Sequence, residues 1–228
     1  MLKDILIYYG LPIIAFIITL GAQIYISSTY SKFSKVAAAR GITGAEAARA
    51  MLDRHGLRDV AIAAVSGTLT DHYDPKTKVV RLSQSNYSSS SVAAVSVACH
   101  ECGHAIQHAE NYSLMRFRSS LVPVTQISSY VGYIAILIGC IFGSLRIIYI
   151  GILAEMVILL FQLVTLPVEI DASRRALADI TESYLLYAEE YDGSKKVLTA
   201  AALTYVAGVL SALLQVVRLI AIFGRRRD

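Results

Sequence analysis

Residues 99–108 read Cys99-His100-Glu101-Cys102-Gly103-His104-Ala105-Ile106-Gln107-His108, and the way this stretch folds decides how the rest of the chain is read. Residues four apart on an α-helix share one face, about one turn from each other. A helix here sets the imidazoles of His100 and His104 side by side. Two imidazoles so placed can bind one Zn²⁺, and Glu101 sits where it can take a proton from a water at the metal. A catalytic zinc takes three protein ligands and keeps one position for water. The helix therefore supplies only part of a site, and another segment must bring the rest.

His108 stacks on the same face as the His pair. From 100 to 108 the helix rises about 12 Å at about 1.5 Å per residue, whereas a zinc–nitrogen bond is only about 2 Å. One ion cannot reach all three imidazoles on a straight helix, so His108 reads as a polar residue near the mouth of the cleft. The better source is Pro167-Val168-Glu169-Ile170-Asp171-Ala172-Ser173-Arg174-Arg175. Pro167 is expected to break one helix and open another, which puts Glu169 in the first turn. Asp171 is the rival acid, two residues on and so on a different face. Either acid also has an ordinary reading, as a carboxylate stabilised by the helix macrodipole.

The hydrophobic pattern explains how the two segments meet. Of the 228 residues, 55% are hydrophobic, and the mean hydropathy of +0.55 is high for a soluble domain. Apolar runs of membrane-spanning length cover 5–26, 121–143, 147–168 and 197–223. The first is too long for a signal-peptide core and no small-x-small cleavage site follows it, so it is expected to stay as an anchor. The turn Gly143-Ser144-Leu145-Arg146 joins the second and third runs into a hairpin. Four crossings leave the polar stretches 27–120 and 169–196 on one side, and both termini on the other. The expected architecture is mainly α: a multi-pass membrane protein with four transmembrane helices and a small α+β catalytic part made from 27–120 and 169–196.

Charge and cysteine usage narrow the function classes. The net charge is +4, with no basic patch interleaved with aromatics, which argues against nucleic acid as a partner. Arg225-Arg226-Arg227 reads as a membrane-flanking cluster. Near the span ends, nine basic residues lie on the side of the His pair (Lys32, Lys35, Arg40, Arg116, Arg118, Arg174, Arg175, Lys195, Lys196) and five on the other (Lys3, Arg146, Arg225, Arg226, Arg227). The positive-inside rule then places the site on the cytoplasmic face of the cell membrane. Three cysteines make no disulfide framework. Cys99 and Cys102 have C-x-x-C spacing, but on the helix they face away from the His pair and read as small packing residues.

Local signals complete the pattern. Thr43-Gly44-Ala45-Glu46 is a capping box, and His55-Gly56 closes the helix that follows. Val60–Val65 and Val79–Leu82 read as strands, separated by the turn Asp74-Pro75-Lys76-Thr77. The second strand offers itself for strand addition by an extended substrate. One of Ser88–Ser91 caps the helix that runs from Val92 to His108. Within the spans, Glu155 lies near the bilayer centre, where folding the hairpin brings it to Tyr133, and Gln162 comes close to Gln126. Such polar residues either hydrogen-bond helices together or line a polar cavity that admits substrate.

Four stretches carry a family resemblance: Leu69-Thr70-Asp71-His72-Tyr73-Asp74-Pro75, Val79-Val80-Arg81-Leu82-Ser83, the His100–His108 segment, and Leu166-Pro167-Val168-Glu169-Ile170-Asp171-Ala172-Ser173. Together they resemble the YugP-type neutral zinc metallopeptidases of bacteria, from about Tyr30 to Tyr187. More distantly the chain is similar to HtpX-type membrane proteases and CAAX prenyl proteases, and His-Glu-x-x-His with a distant helical Glu looks like the gluzincin pattern. The resemblance implies a zincin-like catalytic part, Zn²⁺ as cofactor, His100, His104 and Glu169 as ligands, and Glu101 as catalytic base. It implies hydrolysis of peptide bonds in a protein or peptide substrate near the bilayer. HtpX-type proteins read Glu-x-x-Ala-Asp at the third ligand, and here Ser173 replaces that aspartate. The orienting role then falls to Asp171 or the Ser173 hydroxyl. His72, Tyr73, Tyr184 and Tyr187 are candidate oxyanion donors. The rival reading is a membrane adaptor that holds zinc only for structure, in which Glu101 has no task. A metal transporter needs acids and histidines in several spans, and only Glu155 qualifies. No pattern speaks to an oligomeric state.

Overall fold

The computed structural model describes residues 2–224, so Arg225–Arg227 lie outside the described residues. A helical lead-in, Leu2–Ile5 and the π-helical turn Leu6–Gly10, runs into α1 (Leu11–Phe33). Then come α2 (Gly44–Arg54), β1 (Ala61–Val65), β2 (His72–Asp74) and β3 (Val79–Ser83). After one turn of helix at Gln84–Tyr87 follow α3 (Val92–Ala109), α4 (Ser113–Ile141), α5 (Leu145–Glu182) and α6 (Ala188–Phe223). The fold is mainly helical with a small three-stranded sheet. Among the described residues, four helices are long and apolar enough to cross a membrane: Leu6–Phe33, α4, α5 and α6. Each is longer than its apolar run in the sequence, because hydropathy marks what a bilayer can cover and not where hydrogen bonding stops.

The chain divides into two compact units. One takes the chain up to Gln23, Arg116–Pro167 and the chain from Thr204 onward; the other takes Ile24–Met115 and Val168–Leu203. In the first, α4 ends at Ile141 and Gly143 follows it, with a φ of +65° in the left-handed conformation that closes a helix. The Ser144 N–H then donates to the Gly139 carbonyl at 2.9 Å. The returning helix packs tightly, since a Cβ on Gly151 would stand 3.0 Å from the Gly132 carbonyl oxygen. Small residues let apolar helices associate where hydrophobic burial offers no preference for helix over lipid. Glu155 and Tyr133 border one hollow, as the hairpin pairing predicts, but no hydrogen bond joins them. Gln162 faces α6 rather than Gln126: its Oε1 lies 3.2 Å from where a Gly208 Cβ would be. A helix flanked on two sides turns some of its polar groups to the second neighbour, and a hairpin register does not foresee this.

The second unit is built on the signals read from the sequence. Glu46 N–H donates to Thr43 Oγ1 at 3.2 Å and Thr43 N–H to Glu46 Oε2 at 2.7 Å, the reciprocal cap of α2. Ser91 Oγ accepts from Ala94 N–H at 3.2 Å and starts α3. The core joins Met51 and Leu52 of α2, Val80 and Leu82 of β3, Val95 of α3, and Ala176 and Ile180 of α5. Cys99 and Cys102 are fully buried in it. Burial pushes both thiols up, so they are inert packing residues.

Two expectations are overturned here. Pro167 does not break a helix: α5 runs through it without interruption. A proline interior to a helix forfeits one backbone hydrogen bond and crowds the preceding turn. Val168, Ala172, Ala176 and Ile180, all at 0% exposure, bury the continuation and keep it helical. Glu169 is therefore in mid-helix and gains nothing from a helix N-terminus. Nor is Val79–Leu82 free for strand addition. The sheet order is β1-β3-β2, with β3 parallel to β1 and antiparallel to β2. Both of its hydrogen-bonding edges are taken, the second by a three-residue strand too short to show alternation in the sequence.

Candidate metal centre

Helix α3 carries His100 and His104, and α5 carries Glu169. Their backbones meet at Gly103, where a Cβ would lie 2.6 Å from the Ala172 carbonyl oxygen. That approach brings Glu169 Oε2 to 3.2 Å from His100 Nε2 and 3.4 Å from His104 Nε2. One donor atom from each of the three residues lies within 4.8 Å of the others. Four ligands at about 2.05 Å in a tetrahedron stand about 3.3 Å apart, so both His–Glu separations suit a single zinc ion. The donor set, two imidazoles and a carboxylate, suits it as well.

The far side of each imidazole is also engaged. Ser173 Oγ lies 3.1 Å from His100 Nδ1, and Gln107 Oε1 lies 3.0 Å from His104 Nδ1. The orientation of Gln107 follows from its surroundings. Its Nε2 donates to the Val168 carbonyl at 2.8 Å and to Asp171 Oδ2 at 2.9 Å, which leaves Oε1, an acceptor only, facing His104. His104 must then carry its proton on Nδ1, so that in the neutral ring Nε2 offers a lone pair toward Glu169. Asp171 is held in turn by Arg175 Nε at 2.7 Å. Gln107 is fully buried, and sequence reasoning passed over it. Its position three residues after His104, on the same helix face, was the available signal.

Burial alone favours the neutral form of His104. The hydrogen bond and charge of Glu169 outweigh it, with a further contribution from Glu101, and the imidazole is raised above its ordinary range. Glu101 is only 8% exposed and makes no hydrogen bond among the described residues. A nearly buried carboxylate without a protein partner is uncommon and is left free for water or substrate.

The remaining candidates lie apart from the cluster. His108 Nδ1 meets the Tyr73 hydroxyl at 2.8 Å, and the pair borders a cavity of about 230 Å³ with Asp59 and Lys78. Burial pushes the Tyr73 phenol up to about 12, so it stays a neutral donor. His72 is exposed on β2, its Nδ1 at 2.8 Å from the Thr70 carbonyl. Tyr184 and Tyr187 are exposed beyond the end of α5, and the Tyr184 carbonyl accepts from Arg40. Glu155 belongs to the other unit. The structure thus gathers His100, His104, Glu169 and Ser173, with Asp171 joined through Gln107.

A family model described as "Putative neutral zinc metallopeptidase" matches residues 8–224. The curated protein "Putative membrane protease YugP" of Bacillus subtilis (strain 168) is 45% identical over 223 residues, covering 98% of this chain and 99% of that protein. No solved structure matches the chain.

Proposed function

The chain belongs to the family described as "Putative neutral zinc metallopeptidase", and from that premise we propose that it is a membrane-embedded endopeptidase of the gluzincin type. In this reading His100, His104 and Glu169 hold zinc and Glu101 is the general base. The observation that carries it is the convergence of three donor atoms, two of them on imidazoles tethered on their far sides, beside a nearly buried Glu101 with no hydrogen bond among the described residues. A helix bearing the His pair and packed near a small sheet supports a zincin-like catalytic part.

When bound, zinc supplies the acidity that ionises water near neutral pH and polarises the scissile carbonyl. Ser173 and Gln107 keep the imidazoles in register for it. Glu101 accepts the proton of the attacking water and returns it to the leaving amine. No side chain acts as nucleophile, so no acyl-enzyme accumulates.

We take 5–26, 121–143, 147–168 and 197–223 as the bilayer-embedded segments. Glu169 follows the third of them directly in one continuous helix, which favours substrates that are membrane proteins or lie close to the membrane. The excess of basic residues flanking the polar stretches supports a cytoplasmic catalytic part. The adaptor reading has less support, because a structural zinc is closed by a fourth protein ligand and the cluster holds three among the described residues.

The test is cleavage of casein by detergent-purified protein. Cleavage is expected, with loss on treatment with 1,10-phenanthroline and recovery on adding zinc. One zinc per chain without cleavage of casein or of any loosely folded membrane protein would favour the adaptor. Gln107→Leu is expected to weaken zinc about 10–100-fold, read by competition with a chromogenic chelator; unchanged affinity would remove Gln107 from the site.

The pH dependence has opposite signs with and without metal. Ligation needs neutral imidazoles, so zinc affinity falls as pH drops through the raised His104 value. Without metal, a raised imidazole contributes stability that is complete below about pH 6.5 and lost as pH rises through the folded-state value. Melting temperature should fall for the metal-free protein as pH rises above about 6.5, and not for the zinc-loaded one; parallel slopes would contradict the His104–Glu169 pairing.

A further inference from the structure

The apolar unit contains a hollow of about 380 Å³ that peptide hydrolysis does not use. Its walls are mostly aliphatic and aromatic, yet Glu155 of α5 and Arg218 of α6 both open onto it. They do not pair, and Glu155 makes no hydrogen bond among the described residues. Among the described residues, Arg218 Nη1 reaches Gln215 Oε1 alone, at a long 3.4 Å, and its Nε is buried without a partner. An acid and a guanidinium left unsatisfied in hydrocarbon are costly. They are stable there when something between them is anionic toward Arg218 and hydrogen-donating toward Glu155.

We propose that this hollow binds the headgroup of one phospholipid that carries a primary ammonium, with its phosphate on Arg218 and its ammonium on Glu155. A lipid fits better than a water-soluble ligand because of what borders the hollow. Tyr8, Tyr133 and Leu137 lie on it and are exposed on the outer face of apolar helices, where acyl chains lie. An amphiphile enters sideways and leaves its chains in the bilayer. The ammonium follows from Glu155, which needs N–H donors to form charge-assisted bonds. A choline group has none, and a glycerol headgroup has no positive charge. This inference needs the helices to lie in a bilayer and does not depend on the peptidase reading.

The test is native mass spectrometry of the full chain in detergent, titrated with dioleoyl-phosphatidylethanolamine, -phosphatidylcholine and -phosphatidylglycerol. One phosphatidylethanolamine per chain is expected, at about tenfold lower concentration than either other lipid. Arg218→Gln is expected to abolish that binding. Glu155→Gln is expected to bring phosphatidylethanolamine down to the phosphatidylglycerol level and leave phosphatidylglycerol unchanged. Both variants should keep the wild-type circular-dichroism spectrum and melting temperature, which reports an intact fold. The proposal is overturned if wild type shows no preference for the ammonium lipid, a result that needs no variant, or if neither substitution alters binding. Displacement of the lipid by millimolar inorganic phosphate would overturn it too, and would mark the hollow as a site for the free anion.

Discussion

Replacing Glu101 with Gln is expected to lower casein cleavage by about 10²- to 10⁴-fold, the usual span for removal of a general base, while zinc stays at the wild-type level. The two halves of this result come from different facts. Zinc is retained because the converging donor atoms belong to His100, His104 and Glu169, and Glu101 is not among them. Cleavage is lost because an amide of the same shape cannot accept the proton of water or return it to an amine. The fold should tolerate the change, since a nearly buried carboxylate with no hydrogen bond becomes a neutral group. Loss of zinc along with activity would mean that Glu101 belongs to the ligand set. Cleavage that persisted would require another base, and His108 would be the first to test.

The features legible in the sequence are those written in a short period or a local signal. The His100–His104 spacing needs only a helix, and Ser91 and the run from Val92 supply one. The capping box at Thr43 and the turn at Gly143 are similarly local. Topology and helix face favour Glu169 over Asp171 in the sequence, and the structure brings Glu169 to both imidazoles and Asp171 to Gln107. What was not legible depended on packing between distant segments. The break expected at Pro167 is the ordinary consequence of a missing N–H, and it is overridden by side chains buried against α3 and its neighbours. The strand β2 exists because β3 offers it an edge. The contact between Gln107 and Asp171 joins residues 64 apart in sequence, and nothing in either segment alone announces it.

Gly103 carries the second large effect, although its own atoms bind nothing. Alanine at this position would put Cβ at 2.6 Å from the Ala172 carbonyl oxygen and 3.1 Å from Ala172 Cα. The obstacle is backbone, so no side-chain rotation relieves it and α3 and α5 must separate. Overpacking of this kind costs about 1–3 kcal/mol. The better helix propensity of alanine returns about 1 kcal/mol, so the protein should still fold and remain helical by circular dichroism. The site tolerates the shift less well than the fold does. Metal–ligand distances are satisfied only within about 0.2 Å, and the separating helices carry the His pair and Glu169 on opposite sides of the gap. Gly103→Ala is therefore expected to weaken zinc by more than about tenfold and to suppress cleavage in proportion, with every proposed ligand still present. Gly21→Ala is the matched control: a Cβ there meets nothing within 4 Å, so zinc and activity should be unchanged. If Gly103→Ala bound zinc as tightly as wild type, contact between α3 and α5 would not be what holds Glu169 in place, and the geometry proposed for the metal would have to be rebuilt around some other constraint.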